Sequence, residues 1–161
     1  MKEWLIIDGY NLLHQISAGA MKGDITRSRK DLLLRLEPLA DILARRITVV
    51  FDGQFEDEEA PARQKESEII EVIYAPPAST ADSVIERLVW QAERPENILV
   101  VTSDRLERDT VSASGADTVA SSIFISMIKE QTGYLTARID KINKRHENIT
   151  LGDFFPKQKT D

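Results

Sequence analysis

Apolar residues fall along this chain in short unbroken runs, and the runs alternate with longer stretches in which they recur at helical spacing. Trp4-Leu5-Ile6-Ile7 leads straight into Asp8-Gly9-Tyr10-Asn11, which predicts a short buried strand delivering a carboxylate and then a carboxamide to its C-terminal end. Ile47 to Phe51 repeats the plan and stops on Asp52-Gly53; Ile98 to Val101 stops on Thr102-Ser103-Asp104. Ile69 to Tyr74, closed by Pro76-Pro77, and a brief Thr118-Val119 are further strands. Between them the period changes. Tyr10 to Ser17 reads as a short helix and Ser17 to Asp24 as a glycine-containing loop with Lys22 at its tip. From Thr26, Leu32, Leu36, Leu39 and Leu43 predict a core-facing helix of about 18 residues, bent near Pro38. Thr80 is placed as an N-cap before the apolar face Val84, Ile85, Leu88, Val89 and Ala92, and Pro95 ends that helix. Helices from Asp104 to about Ser112 and from about Ser121 to Gln131 follow, then a mixed tail from Ala137 to Asp161. Strands alternating with helices predict an α/β fold, a mainly parallel sheet covered on both faces.

Gln54 to Glu68 stands out as polar, with Glu56, Asp57, Glu58 and Glu59 in a run, and reads as a solvated connection. At 161 residues, 42% hydrophobic and 30% charged, the chain has room for one core, so residues 1–161 are read as a single domain with 137–161 as a C-terminal helical or tail extension. The apolar start is too short for a signal peptide, and no apolar run approaches the ~18 residues of a membrane span. The absence of cysteine removes disulfides and thiolate chemistry and fits a reducing cytoplasm. A net charge of −6 argues against a nonspecific nucleic-acid coat, although not against a nuclease whose acids are screened by a cation. Neither a P-loop nor a Gly-x-Gly-x-x-Gly turn is present, so no nucleotide cofactor is expected.

The aspartates carry the chemistry. Ligands bind outside the carboxyl ends of strands in an open parallel sheet, and there Asp8, Asp52 and Asp104 would converge, with Asp82 opening the helix after the third strand. Clustered carboxylates repel unless a cation neutralises them or one takes up a proton. Mg2+ or Mn2+, in unknown number, suits such a set of hard oxygens and needs no histidine or cysteine. Each acid also has an ordinary explanation: Asp8-Gly9 and Asp52-Gly53 as turn dipeptides, Asp82 as a first-turn acid, Asp104 as a helix cap. Asn11 would orient a water or phosphate oxygen, or bond to its own backbone. Glu86, one turn after Asp82, is a second-tier ligand candidate. Arg105 is a candidate phosphate contact and Tyr10 a candidate base-stacking group, each with a plainer reading as a solvated residue and a sheet-packing ring. Arg27, Arg29 and Lys30 sit where a helix dipole prefers acids, so they are either solvated or answer to an anionic partner.

Taken in order, Asp8-Gly9-Tyr10-Asn11-Leu12, Phe51-Asp52-Gly53, Thr80-Ala81-Asp82-Ser83-Val84-Ile85-Glu86 and Thr102-Ser103-Asp104 resemble the motifs of the NYN domain, a PIN-like nuclease fold, and specifically its YacP-like branch. The resemblance covers about residues 1 to 130. It implies a three-layer fold with strand order 3-2-1-4-5 and the acids at the C-terminal edge of the sheet. It also implies a metal-dependent endoribonuclease in which Asp8, Asp82 and Asp104 match metal-binding positions, Asn11 their polar companion, and Asp52 lies beside them. Ribosome association and cleavage of messenger RNA there are implied in the same way. The acidic stretch Glu56 to Glu59 sits oddly beside an RNA backbone unless it points away or meets a protein.

Two functions follow. The leading expectation is an RNA phosphodiesterase using metal-activated water. The alternative is a noncatalytic RNA- or ribosome-binding module that keeps the acidic pocket and docks through Lys22, Arg27, Arg29, Lys30, Lys141, Lys144 and Arg145. A phosphatase or phosphoacceptor domain also places aspartates at strand ends, but Asp8 lacks the second acid two residues on.

Overall fold

Leu5, Ile6 and Ile7 are all buried in β1 (Lys2–Asp8), and a strand buried on both sides must lie inside a layered sheet rather than at its surface. In the computed structural model, which describes residues 2–16, 25–53 and 62–147, that strand is flanked by β2 (Ala44–Phe51) and β5 (Ile98–Val101). The sheet order is β3-β4-β2-β1-β5-β6, with β3 at Ala62–Lys65, β4 at Ile70–Tyr74 and β6 at Asp117–Val119. The five strands expected from the sequence are parallel and keep the expected order. Their register pairs Asp8 with Val50, Ile7 with Val101 and Phe51 with Tyr74, so the strands finish together along one edge.

Side chains alternate between faces along a strand, which assigns each helix its layer. Ile6, Val50, Ile73, Ile98 and Val100 pack with Val84, Ile85, Leu88 and Val89 of α4 (Ala81–Trp90) and Val111 of α5 (Arg105–Ala113). Leu5, Ile7, Ile47 and Val49 alternate onto the opposite face, where α1 (Gly9–Ile16) packs against β1 and β2. With both faces covered, the open edge at the strand ends is the place left for chemistry.

The structure departs from the sequence reading in three places. The helix expected from Thr26 across Pro38 breaks instead of bending. It consists of α2 (Ile25–Leu36), a 3-10 turn at Glu37–Leu39 and a four-residue α3 (Ala40–Leu43), because proline offers no amide and its ring crowds the preceding turn. Part of the stretch read as a solvated connection is β3, antiparallel to β4. Its pairing is supported by Arg63 reaching Glu71 at 3.6 Å and by the Ser67 hydroxyl, which accepts from the Ile69 and Ile70 amides at 3.3 and 3.1 Å. Charges such as Arg63 and Lys65 suit an exposed sheet edge. Residues 54–61, with Glu56 to Glu59, lie outside the described residues, as does Lys22. Finally, α6 runs from Ser121 to Glu147, well past Gln131 and through the expected start of the tail at Ala137. Leu151, Phe154 and Phe155 lie outside the described residues.

The chain divides into two compact units, residues 1–127 and 128–161. Sheet, flanking helices and acids all belong to the first. In the second, the hydroxyls of Thr132 and Thr136 donate to the carbonyls one turn back, at 2.8 and 3.0 Å. Among the described residues, no helix is long and apolar enough to cross a membrane.

Candidate active site

Asp8 closes β1, and the chain turns at once into α1. The turn is tight because Gly9 lies against the Phe51 ring, which any Cβ there would overlap. The Asp8 carboxylate is buried and its Oδ1 accepts from the Asn11 amide at 3.0 Å. Burial pushes its pKa up to about 6; the Asn11 amide opposes the rise, the charges of Asp82 and Asp52 add to it, and the Tyr10 amide opposes it again.

Asp82 arrives on the first turn of α4. Two caps fix that turn: Thr80 Oγ1 accepts from the Ser83 amide at 3.2 Å, and Asp52 Oδ1 accepts from the Ala81 amide at 2.8 Å. Asp52 therefore ties the end of β2 to the start of α4, and its charge is felt by both Asp8 and Asp82. Asp82 is partly buried; desolvation, then Asp104 and Asp52, hold its pKa above the ordinary carboxylate range.

Asp104 caps α5, its Oδ1 accepting from the amides of Leu106 at 2.8 Å and Glu107 at 3.3 Å. The residue that this cap turns inward is Glu107. It is 2% exposed, and neither carboxylate oxygen has a hydrogen-bond partner. Burial lifts its pKa to about 8; the Thr102 hydroxyl favours the charged form, while Asp8, Asp82 and Asp104 oppose it. Carboxylate oxygens of Asp8, Asp82 and Glu107 all lie within 4.8 Å of one another. Among the described residues no lysine or arginine forms an ion pair with any of the three. Converging carboxylate oxygens left without a counter-charge among the described residues could hold a metal ion.

Asn11 holds this edge together. Its Oδ1 accepts from the Ser103 amide at 2.9 Å and the Ser121 hydroxyl at 2.7 Å, and the Ser121 amide donates to Ser103 Oγ at 3.1 Å. One carboxamide oxygen thus links the first turn of α1, the end of β5 and the start of α6.

The remaining sequence candidates scatter. Tyr10 meets Phe51 edge to face with ring centroids 5.3 Å apart, and its hydroxyl accepts a hydrogen bond from Arg29. Arg29 is itself buried, its guanidinium 5.2 to 5.3 Å from the centres of the Tyr10, Phe51 and Tyr74 rings. The solvated reading of Arg29 is therefore corrected: ring faces attract the cation and make its burial tolerable. Arg27 is exposed on α2, and Arg105 is exposed beside Asp104. Glu86 is partly buried one turn beyond Asp82 and lines a groove with Arg87 and Trp90, outside the carboxylate trio.

Sequence reasoning missed Glu107. Arg105-Leu106-Glu107-Arg108-Asp109 reads as a charged outer helix face. A signal was available: an Asp cap followed three positions later by Glu has the spacing of a capping box, which puts that Glu in the first turn at the strand-end edge.

Comparison with known proteins places this geometry. Two crystal structures of Rae1 (YacP) from Bacillus subtilis, one of them a single-residue mutant, share the fold with a TM-score of 0.70 and 23% identity. The mutant matches over 94% of this chain and 88% of its own, the other over 90% and 84%. No curated protein sequence matches. The family model described as the YacP-like NYN domain matches residues 5–159, nearly the whole length over which the parallel sheet and its edge of acids are built, and the chain belongs to that family.

Proposed function

We propose that this protein is a metal-dependent endoribonuclease that hydrolyses RNA phosphodiester bonds, acting in the cytoplasm on messenger RNA at the ribosome. The observation that carries the reading is the trio Asp8, Asp82 and Glu107, two of them buried and Asp82 partly so, whose oxygens lie within 4.8 Å of one another with no ion-paired lysine or arginine among the described residues to offset them. A PIN-like fold in a nuclease-rich family adds to it.

In this reading Asp8, Asp82 and Glu107 hold Mg2+ or Mn2+, with Asp104 and Asp52 as neighbouring acids. The ion would lower the pKa of a bound water and offset charge on the phosphoryl oxygens. The chain's own contribution is position. Asp52 and Thr80 fix the turn that carries Asp82, Asp104 fixes the turn that carries Glu107, and Asn11 ties the first turn of α1 to the end of β5 and the start of α6. Arg105 and Arg27 offer phosphate contacts, as would Lys22. Tyr10 acts through Arg29 as a positioning residue more than as a stacking platform, since its ring is already engaged. Residues 1–161 form one NYN domain, with 137–161 as its C-terminal extension.

The test is cleavage of a translated messenger RNA by wild type and by Asp8→Asn plus Asp82→Asn, with Mg2+ or Mn2+, with and without ribosomes. Metal-dependent cutting by wild type alone is expected, with ribosomes enhancing it. RNA or ribosome association without wild-type-dependent cutting under any of these conditions would overturn the nuclease and favour a binding module.

A further inference from the structure

On α5 the face next to Glu107 carries Arg105 and Arg108 one turn apart, with Ser112 a further turn on; together with Asp109 and Thr118 of β6 they line a groove of about 420 Å³. Neither guanidinium belongs to an ion pair among the described residues. Arg108 Nε finds no hydrogen-bond acceptor among the described residues, so the fold does not use that donor. In a chain of net charge −6, a pair of uncompensated arginines is a local reversal of field, and planar guanidinium donors match phosphate oxygens. The groove shares its helix with Glu107, and Arg105 directly follows the Asp104 cap, so the groove begins where the acids end.

We propose that the Arg105–Arg108 groove holds the phosphates of a single-stranded RNA flanking the bond to be cut, so that substrate affinity is set on α5 while the chemistry is set by the acids beside it. This deepens the nuclease reading and rests on it. A single strand is the occupant because Asp8 and Glu107 are 8% and 2% exposed. The scissile phosphate must reach a recessed edge, which a flexible strand does and a stiff A-form duplex does not. Ser112 and Thr118 add hydroxyl donors. Asp109, the one acid lining the groove, opposes a polyanion and gives the proposal a test with the opposite sign.

The experiment uses the full chain with Mg2+ and single-stranded RNA oligonucleotides of about 4 and about 16 nucleotides. It measures KM and kcat by cleavage and, with fluorescein-labelled RNA, affinity by anisotropy across a salt series. Arg105→Ala with Arg108→Ala is expected to raise KM on the longer RNA about tenfold, with kcat within about twofold, and to flatten the log–log salt dependence by about 1.4, the share of two phosphate contacts on a single strand. Arg105→Lys with Arg108→Lys should keep most of that slope, and Asp109→Asn should lower KM. Should the double alanine variant fail to fold, the Asp109→Asn and double lysine variants still decide. Unchanged KM and salt slope while wild type cuts RNA would overturn the groove and leave the nuclease standing. The expected slope change without any cleavage would support the groove and count against the nuclease. No RNA binding by wild type would remove both.

Discussion

Two glutamates on the same side of one sheet are treated in opposite ways. Glu71, on β4, accepts from the Thr48 hydroxyl at 2.7 Å and from Arg46 Nη2 and Nε at 2.5 and 3.0 Å, with Arg63 at 3.6 Å. Burial alone would raise its pKa, but the Thr48 and Arg46 hydrogen bonds and the charges of Arg46 and Arg63 bring it below the ordinary value. Glu107 has no cation beside it among the described residues; burial pushes its pKa up to about 8, and the help of the Thr102 hydroxyl is opposed by three aspartates. A carboxylate that serves the fold is satisfied by the fold. One left buried and repelled must be neutralised from outside, by a proton or a metal ion.

The largest effect should come from exchanging the two charges one at a time. Glu107→Gln keeps the shape and removes the charge, so RNA cleavage should fall by at least ~10²-fold, as expected when electrostatic stabilisation in a water-poor site is lost. Because the repelled charge has gone, the metal-free protein should melt at the same or a higher temperature. Glu71→Gln should do the reverse, leaving cleavage near wild type and costing on the order of 1 kcal/mol through lost charge-assisted hydrogen bonds, discounted for partial exposure. Cleavage assays and thermal melts of both variants check this. Equal losses of activity would end the distinction between them.

Proton linkage sharpens the same contrast. Glu107 has an ordinary pKa of 4.5 and a folded one of about 8, and Asp8 rises from 3.8 to about 6. Between those limits the folded protein holds protons that the unfolded chain has released. Metal-free stability should therefore be full below about pH 4 and fall as pH rises to about 8, at up to ~1.4 kcal/mol per pH unit per group. Glu71 works in the other direction: its stabilisation is present above its ordinary pKa of 4.5 and is lost as pH falls through its lower folded value. Melting curves across pH should show Glu107→Gln flattening the neutral limb and Glu71→Gln the acid limb. Saturating Mg2+ should restore wild type at pH 8 by ~2.7 kcal/mol at a hundred times Kd, and restore Glu107→Gln far less.

The contrast also marks what the sequence could carry. Buried strands that end on Asp8, Asp52 and Asp104 are legible because an apolar run and its terminal acid are adjacent in the chain, whereas the sheet order comes only from the resemblance of the motifs to the YacP-like NYN family. β3 was hidden because a charged edge strand has the composition of a loop; only its pairing with β4 makes Arg63 and Lys65 strand residues. Glu107 was hidden for a related reason. Its burial is decided by the orientation of α5 on the sheet, not by its neighbours in sequence, so a run of five mostly charged residues conceals one that points inward. Asn11 is legible as a polar residue one turn past the first strand, but its bonds to Ser103 and Ser121 span 92 and 110 positions, beyond any local pattern.

The smallest expected effect marks the outer limit of the acid site. Glu86 follows Asp82 by one helical turn, the spacing at which side chains share a face, and on spacing alone it would extend the cluster along α4. The groups that raise Asp82 are desolvation, Asp104 and Asp52, and those that raise Glu107 are its burial, Asp8, Asp82 and Asp104; Glu86 is among neither. It faces the groove with Arg87 and Trp90 instead. Glu86→Gln should therefore leave cleavage within about twofold and the Mg2+-induced rise in melting temperature unchanged, because removing a partly solvated charge outside the carboxylate trio alters the site's field little. A tenfold loss with a weakened response to Mg2+ would mean that the region of uncompensated charge runs a full turn down α4, and that the boundary drawn between Asp82 and Glu86 is in the wrong place.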